Sequence, residues 1–247
     1  MRGFWKLTKI ELKLYFRFPV MAIITLAVPV MILLLVGSIF GNLPSTLFGG
    51  FGAVDVAVPA YTAMIIAIGT FLTVPIALSN YRERGILRRF RTTPVHRLTL
   101  LGVQVLLQFI VTLLGMLLLI LIGELVFGIR FEGRVVSYLL SFSLSCLSFL
   151  SFGLVLGSLL PNVRVANLVG NVLLLPMIYL SGATIPNEVM SPELRSFQRF
   201  IPLSHVVSLL QGLWVGDAWS AHQTELVVLG CILVVSIIVA VMIFRWE

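Results

Sequence analysis

The side chains able to do chemistry in this sequence crowd into one stretch, Tyr81 to Arg97, which reads YRERGILRRFRTTPVHR. Five arginines fall between Arg82 and Arg91, with a single acid, Glu83, among them. If the stretch is helical, Glu83, Ile86, Leu87 and Phe90 share one face by their spacing of three and four, with Arg82, Arg84, Arg88 and the following arginines around the rest. Gly85 weakens such a helix and Thr92-Thr93-Pro94 stops it. A short amphipathic helix of this kind suits docking to a protein. The plainer reading is a solvated loop whose arginines only set membrane orientation.

A second charged group opens the chain. Arg2, Lys6, Lys9, Lys13 and Arg17 recur at steps of four, three, four and four. On a helix they form one stripe, with Phe4, Trp5, Leu7, Leu14, Tyr15 and Phe18 over the other side. Residues 1–18 are therefore expected as an interfacial helix lying on an anionic leaflet. Glu11 falls on the apolar side and needs a cationic or hydrogen-bonding partner, sought in the Arg82 to Arg91 block. A cleaved signal peptide is the competing reading, but the basic region is long and no small-x-small site follows the apolar run.

Other chemistries find little to stand on. Ser181-Gly182 with His205 evokes an intramembrane serine protease, yet the local sequence Tyr179-Leu180-Ser181-Gly182 lacks a Gly-x-Ser-Gly turn. His96, His205 and His222 form no His-x-x-x-His or Glu-x-x-His pairing, so no metal site is expected. Cys146 and Cys231 sit in apolar runs and read as small hydrophobes. No Gly-x-x-x-x-Gly-Lys loop is present to cradle a nucleotide. An ion-coupled carrier needs an acid near the membrane midplane, whereas Glu124 and Glu225 fall at span ends. No catalytic residue and no cofactor bound by this chain is expected.

The elements that must position the charged groups are membrane spans. With 59% hydrophobic and 11% charged residues in 247, and a mean hydropathy of +1.10, an ordinary soluble domain is excluded. An arginine at a bilayer centre costs roughly 2.5 to 3.5 kcal/mol, so the Arg82 to Arg91 block lies in water. The net charge of +7 comes from blocks flanking apolar runs rather than from one soluble face, which argues against nucleic-acid binding. Apolar runs of span length fall near 20–40, 57–80, 98–123, 135–160, 165–182 and 226–244. The expected fold is thus all-α: a single polytopic membrane domain over 1–247, with six transmembrane helices, the interfacial helix at 1–18 and a cytoplasmic segment at 81–97.

An even number of spans puts both termini on one side. That side then collects thirteen of the 17 Lys and Arg, and the other holds seven of the ten acids, so the termini and the arginine block are expected in the cytoplasm. The connection 183–224 is too long for a turn, and its apolar stretch His205 to Gly216 is too short to cross. It is read as a re-entrant helix pair at the outer end, against the plainer reading of a surface loop. Mild polar residues within spans, Gln104, Gln108, the serines from Ser137 to Ser158, Asn167 and Asn171, more often bond between helices than bind cargo. Tyr61, Met64, Ile68 and Phe71 lie along one face of the second span and are candidates, with Asn167 and Asn171, for a path gripping an apolar molecule.

These pieces, in this order, resemble the type-2 ABC exporter permeases, nearest the daunorubicin-exporter type. The resemblance is carried by Glu11-Leu12, Arg17, Pro19, Pro29 and Phe40-Gly41, then Arg82-Glu83-Arg84-Gly85 with Leu87 and Thr93-Pro94. It continues in Pro176, Leu180-Ser181-Gly182, Ile185-Pro186, Pro192, Pro202-Leu203 and His205. It implies a permease subunit in a bacterial or archaeal cytoplasmic membrane that exports a drug-like molecule or lipid, or alternatively a polysaccharide or glycolipid. It further implies a second permease copy and a separate nucleotide-binding subunit that carries ATP and Mg. Arg82, Glu83, Arg84, Gly85, Leu87 and Arg88, with Lys6, Lys9, Glu11, Lys13 and Arg17, would touch that subunit. Ser181, Gly182, Pro186 and His205 would form the outer gate.

Overall fold

The computed structural model describes residues 5, 8–9, 11–13, 19–87, 97–184 and 190–243. Of the expected site residues, Lys6, Arg17, Arg88 and Pro186 lie outside that set. Every regular element among the described residues is helical. In chain order these are α1 (Pro19–Phe40), α2 (Ala53–Glu83), α3 (Arg97–Phe127), α4 (Val135–Leu159), α5 (Val163–Leu180), α6 (Pro192–Gln198), α7 (Pro202–Trp214) and α8 (Gln223–Ile243).

The helices α2, α3, α4, α5 and α8 are long and apolar enough to cross a membrane. The first apolar run forms α1, whose 22 residues extend roughly 33 Å at 1.5 Å per residue. The chain is a polytopic all-α membrane protein. Its centre is α2, buried along most of its length and flanked by α1, α3, α4, α5 and α7, with α8 packed on α4. The outward sides of α1, α3, α5 and α8 carry Leu, Val and Ile in contact with the surroundings, as lipid-facing helices do.

Two departures from the sequence expectations have local causes. The second span does not stop at residue 80 but continues as helix through Glu83, and the break comes at Arg84-Gly85. Gly85 takes φ +64°, a left-handed conformation that glycine adopts without the Cβ penalty. Glu83 therefore belongs to α2 and does not share a continuous helical face with Ile86 and Leu87, which follow the turn. The second departure is inside α2. Pro75 has no N–H to give the Phe71 carbonyl four residues back, and over Gly69–Thr73 the helix widens into a π turn, the Val74 N–H reaching Gly69 O instead. Close helix crossings accommodate the bulge: a Cβ on Gly170 of α5 would lie 2.2 Å from Phe71 O, and one on Gly153 of α4 would lie 2.6 Å from Thr70 O.

The 183–224 connection folds inward. Its α7 buries Leu203, Val206, Val207, Leu209, Leu210, Leu213 and Trp214. At its C-terminal end Gln211 Nε2 donates to Val56 O at 3.2 Å, and Trp214 Nε1 to Arg130 O at 3.0 Å, next to the start of α2. Its first residue, Pro202, lines a cavity with Phe71, near the middle of α2. This short helix thus starts at about the midpoint of the bundle and rises to one end, where α8 begins. Its backbone is tolerated at that depth because protein surrounds it.

Candidate functional site

At the Glu83 end of the bundle, charged side chains of α2 are built into the ends of other helices. Arg82 and Glu83, adjacent and opposite in sign, both reach the turn between α4 and α5. The Arg82 guanidinium donates to the carbonyls of Gly157 at 3.4 Å and Ser158 at 3.1 Å, and to that of Leu160. These lie in the last turn and cap of α4, where carbonyls lack helical partners and the helix dipole is negative. Glu83 Oε1 accepts the N–H of Val163, the first residue of α5, at 2.8 Å. The next orphan donor, Val165 N–H, goes to Asn162 Oδ1 at 2.8 Å, an ordinary asparagine N-cap. Arg84 is turned back on its own helix, its Nε donating to Asn80 Oδ1 at 2.8 Å. Leu87 is buried. A cavity of about 760 Å³ opens beside Glu83, lined also by Asn162, Val163, Arg164, Asn167 and Leu168.

The opening segment meets the same end. Glu11 is half-buried and accepts a hydrogen bond from the Tyr81 hydroxyl. Tyr81 in turn accepts one from Gln104 Nε2 of α3 at 3.0 Å. Burial pushes the Glu11 carboxyl above its ordinary value, and the Tyr81 bond partly offsets that. The partner of Glu11 among the described residues is thus Tyr81, one position before the arginine block in which it was sought. Lys9 and Lys13 of the opening stripe are exposed.

The residues proposed for a cargo path divide between two places. Phe71 packs edge-on against Phe149 and Phe152, at centroid separations of 6.3 and 5.9 Å. With Phe149, Phe152, Met177, Pro202 and Ile232 it lines an apolar cavity of about 60 Å³. Tyr61 and Met64 are buried in the core and Ile68 half-buried. On α5, Asn167 lies toward the Glu83 end, at the cavity there, and Asn171 one turn on, next to Gly170, which crosses α2 at Phe71. There Asn171 Nδ2 donates to Asn167 O and Oδ1, both at 2.8 Å.

Near the opposite end, Ser181 spends its hydroxyl on Ile178 O and accepts from Ala183 N–H. Gly182 follows with φ +86°. His205 bonds to Arg199 O at 3.1 Å through Nε2, which must carry the proton because a carbonyl only accepts. Among the described residues no hydrogen bond joins Ser181 to His205, so the pair does not form the dyad a serine hydrolase requires. The serines of α4 mostly bond to carbonyls of their own helix. Ser148, besides Leu144 O of its own helix at 2.7 Å, also has Leu229 O of α8 within reach at 2.9 Å.

Sequence reading missed a polar hub at the far end. Asp55 is fully buried. Its carboxylate accepts Asn42 Nδ2 at 2.9 Å, Gly52 N–H at 2.8 Å and Arg130 N–H at 2.8 Å. Asn42 Oδ1 takes Val54 N–H and Asp55 N–H in exchange. The legible part was an acid in the first turn of an apolar helix, a position that favours negative charge; the two distant partners had no local signal. A second cluster joins His222 to Asp217 at 3.3 Å and places Glu225 3.9 Å from its other nitrogen. Ser208 also donates to Glu225, at 3.1 Å. No group of His, Cys, Asp and Glu among the described residues is arranged to hold a metal ion.

A family model described as "ABC-2 type transporter" matches residues 2–214. The chain is 29% identical over 157 residues to the Probable multidrug ABC transporter permease YbhS of Escherichia coli strain K12, a match covering 63% of this chain and 41% of that protein. It is 26% identical over 161 residues to the Probable multidrug ABC transporter permease YbhR of the same strain, covering 65% and 44%. With the Inner membrane transport permease YhhJ it shares 26% over 138 residues, covering 56% and 37%. The aligned stretches thus span about two-fifths of the length of these relatives.

Proposed function

The chain belongs to the ABC-2 type transporter family, and from that premise we propose that it is the membrane permease of an ATP-driven exporter for amphipathic or hydrophobic molecules. Two of its relatives are named as multidrug transporter permeases, which supports drug-like compounds as cargo, with lipids the chemically adjacent class. The observation that carries the reading is the bridge from Glu11 through Tyr81 to Gln104. It joins the opening segment, the inner end of α2 and the start of α3 at one end of the bundle, where Lys9 and Lys13 are exposed, and the basic residues that the sequence sets beside these elements are read as one face with them. A soluble nucleotide-binding subunit docks on that face, carrying the ATP and Mg, and its closure moves the opening helix and the elbow after α2 as levers. The membrane chain itself catalyses nothing in this scheme.

The basic face lies in the cytoplasm of a bacterial or archaeal cell, with both termini on the same side, as the excess of Lys and Arg there favours. The cavity beside Asn167 and Leu168 opens toward that face and is the entry for cargo from the cytoplasm or inner leaflet. The aromatic cavity around Phe71, at the tip of α7, is the constriction that must widen for passage. A second permease copy faces the open side of α5, where Leu168, Val172, Leu175 and Tyr179 are exposed.

The test uses proteoliposomes holding this chain alone or with its nucleotide-binding subunit, and the fluorescent amphipathic cation Hoechst 33342 as probe. Uphill, ATP-dependent movement of the dye is expected only when both subunits are present. Uphill movement by the chain alone, or failure of any nucleotide-binding subunit to co-purify with it, would overturn the proposal.

A further inference from the structure

We propose that Arg82 and Glu83 act as an internal linkage that makes the α4–α5 turn move with the inner end of α2, a positioning role rather than a contact to the partner. The inference rests on the transport reading above and assigns to these two residues a task inside the membrane subunit.

The geometry is specific. α4 ends and α5 begins across the short turn Leu160-Pro161-Asn162, so a negative helix end and a positive helix end lie side by side. Consecutive residues of α2 answer them with the matching charges: Arg82 covers the carbonyls of Gly157, Ser158 and Leu160, and Glu83 takes the Val163 N–H. Ser79, one turn earlier on α2, adds a bond to Leu160 O at 3.4 Å. Arg84-Gly85 then breaks the helix, so the linkage sits on the last rigid turn before the elbow. A push entering through the elbow therefore reaches α4 and α5 through polar bonds at both helix ends. Above the linkage α2 and α5 cross closely at Gly170 and Phe71 of the π turn, and among the described residues no side-chain hydrogen bond bridges that crossing. α5 in turn carries Asn167 and Leu168 at the cavity, so its inner end is the part of the cargo path that this linkage would drag.

A charge contact to a partner and an internal cap make different demands on residue 83. The cap needs an acceptor oxygen and the Val163 N–H; the contact needs the negative charge. Glu83→Gln keeps the acceptor and loses the charge. Val163→Pro keeps Glu83 whole and removes the donor. Proline suits this first helical position, and Asn162 before it already holds the extended conformation that proline demands (φ −150°, ψ 165°). Glu83→Leu removes both.

The experiment uses the complex of the full chain with its nucleotide-binding subunit, with Cys146 and Cys231 replaced by alanine and Leu168→Cys as reporter. The rate of modification by a water-soluble maleimide is measured with and without ATP. ATP is expected to change the rate in the otherwise unaltered chain and in Glu83→Gln, and the change is expected to be lost in Glu83→Leu and Val163→Pro. An ATP response equal in all four chains overturns the linkage alone. Loss in Glu83→Gln with retention in Val163→Pro also overturns it, and makes Glu83 an ionic docking residue. No ATP response in the unaltered chain overturns the transport reading and the linkage together.

Discussion

Replacing Asp55 by asparagine should destabilise the bundle well beyond what one surface-deep polar change does. The carboxylate is fully buried and holds three N–H groups from three places: Gly52 at the start of α2, Asn42 beyond the end of α1, and Arg130 in the connection from α3 to α4. An asparagine can keep the oxygen that serves Asn42 and Arg130, but its amide nitrogen then faces the Gly52 N–H, donor against donor. One charge-assisted bond is lost, one buried donor is left unpaired, and the remaining two bonds lose the ionic contribution. At about 1 to 3 kcal/mol for an orphaned buried group, plus the weakened bonds, the sum is about 3 kcal/mol. For a chain of this size that lowers the thermal midpoint by roughly 6 to 12 °C. The assay is thermal unfolding of the purified chain in detergent, followed by loss of the monodisperse species. The double variant Asn42→Asp with Asp55→Asn restores an acceptor–donor pair between the two positions, and part of the stability should return. A midpoint for Asp55→Asn within about 1 °C of the parent would refute the reasoning, since the three bonds would then contribute no more than bonds to water.

Two further outcomes follow from the same geometry. Tyr81→Phe removes the donor that partly offsets the burial of Glu11. The folded-state value of Glu11 already lies above its unfolded value, so the ionised form costs stability at neutral pH and that cost fades as the pH falls through the folded value. The variant raises the value further, and its destabilisation should be larger at neutral than at mildly acidic pH, as thermal midpoints across that range would reveal; a pH-independent effect would count against it. Gly170→Ala sets a methyl 2.2 Å from the Phe71 carbonyl, and either α5 or the π turn must give way. Overpacking of this kind costs about 1 to 3 kcal/mol, readable as a lowered midpoint, whereas Gly230→Ala inside α8, with open space around it, should not lower the midpoint and gains up to about 1 kcal/mol of helix propensity.

Much was legible from composition and period alone. An apolar run of span length has few alternatives in water or lipid, so membrane helices at the expected places follow from burial of the backbone. Gly85 was legible only as a weak point in a helix expected to run on to Thr92, whereas its left-handed conformation ends α2 there. The short apolar stretch from His205 was too brief to cross and too greasy for a loop, and it does fold back into the bundle. Illegible were the partners of the polar groups. Asp55 and Asn42 look like two scattered outer residues until the helices bring them together. Arg82 and Glu83, read from sequence as one edge of a docking surface, turn out to hold the α4–α5 turn, which is some eighty positions away in the chain.

The division has a physical reason. Hydrophobicity acts on each segment separately, so the chain by itself determined that it is a helical membrane protein. Hydrogen bonds and helix-end charges act over a few ångströms between segments distant in sequence. Only the tertiary structure could therefore decide that Tyr81 meets Glu11, that Pro75 widens α2 where Gly170 makes room, and that the charges closing α2 answer the ends of two other helices.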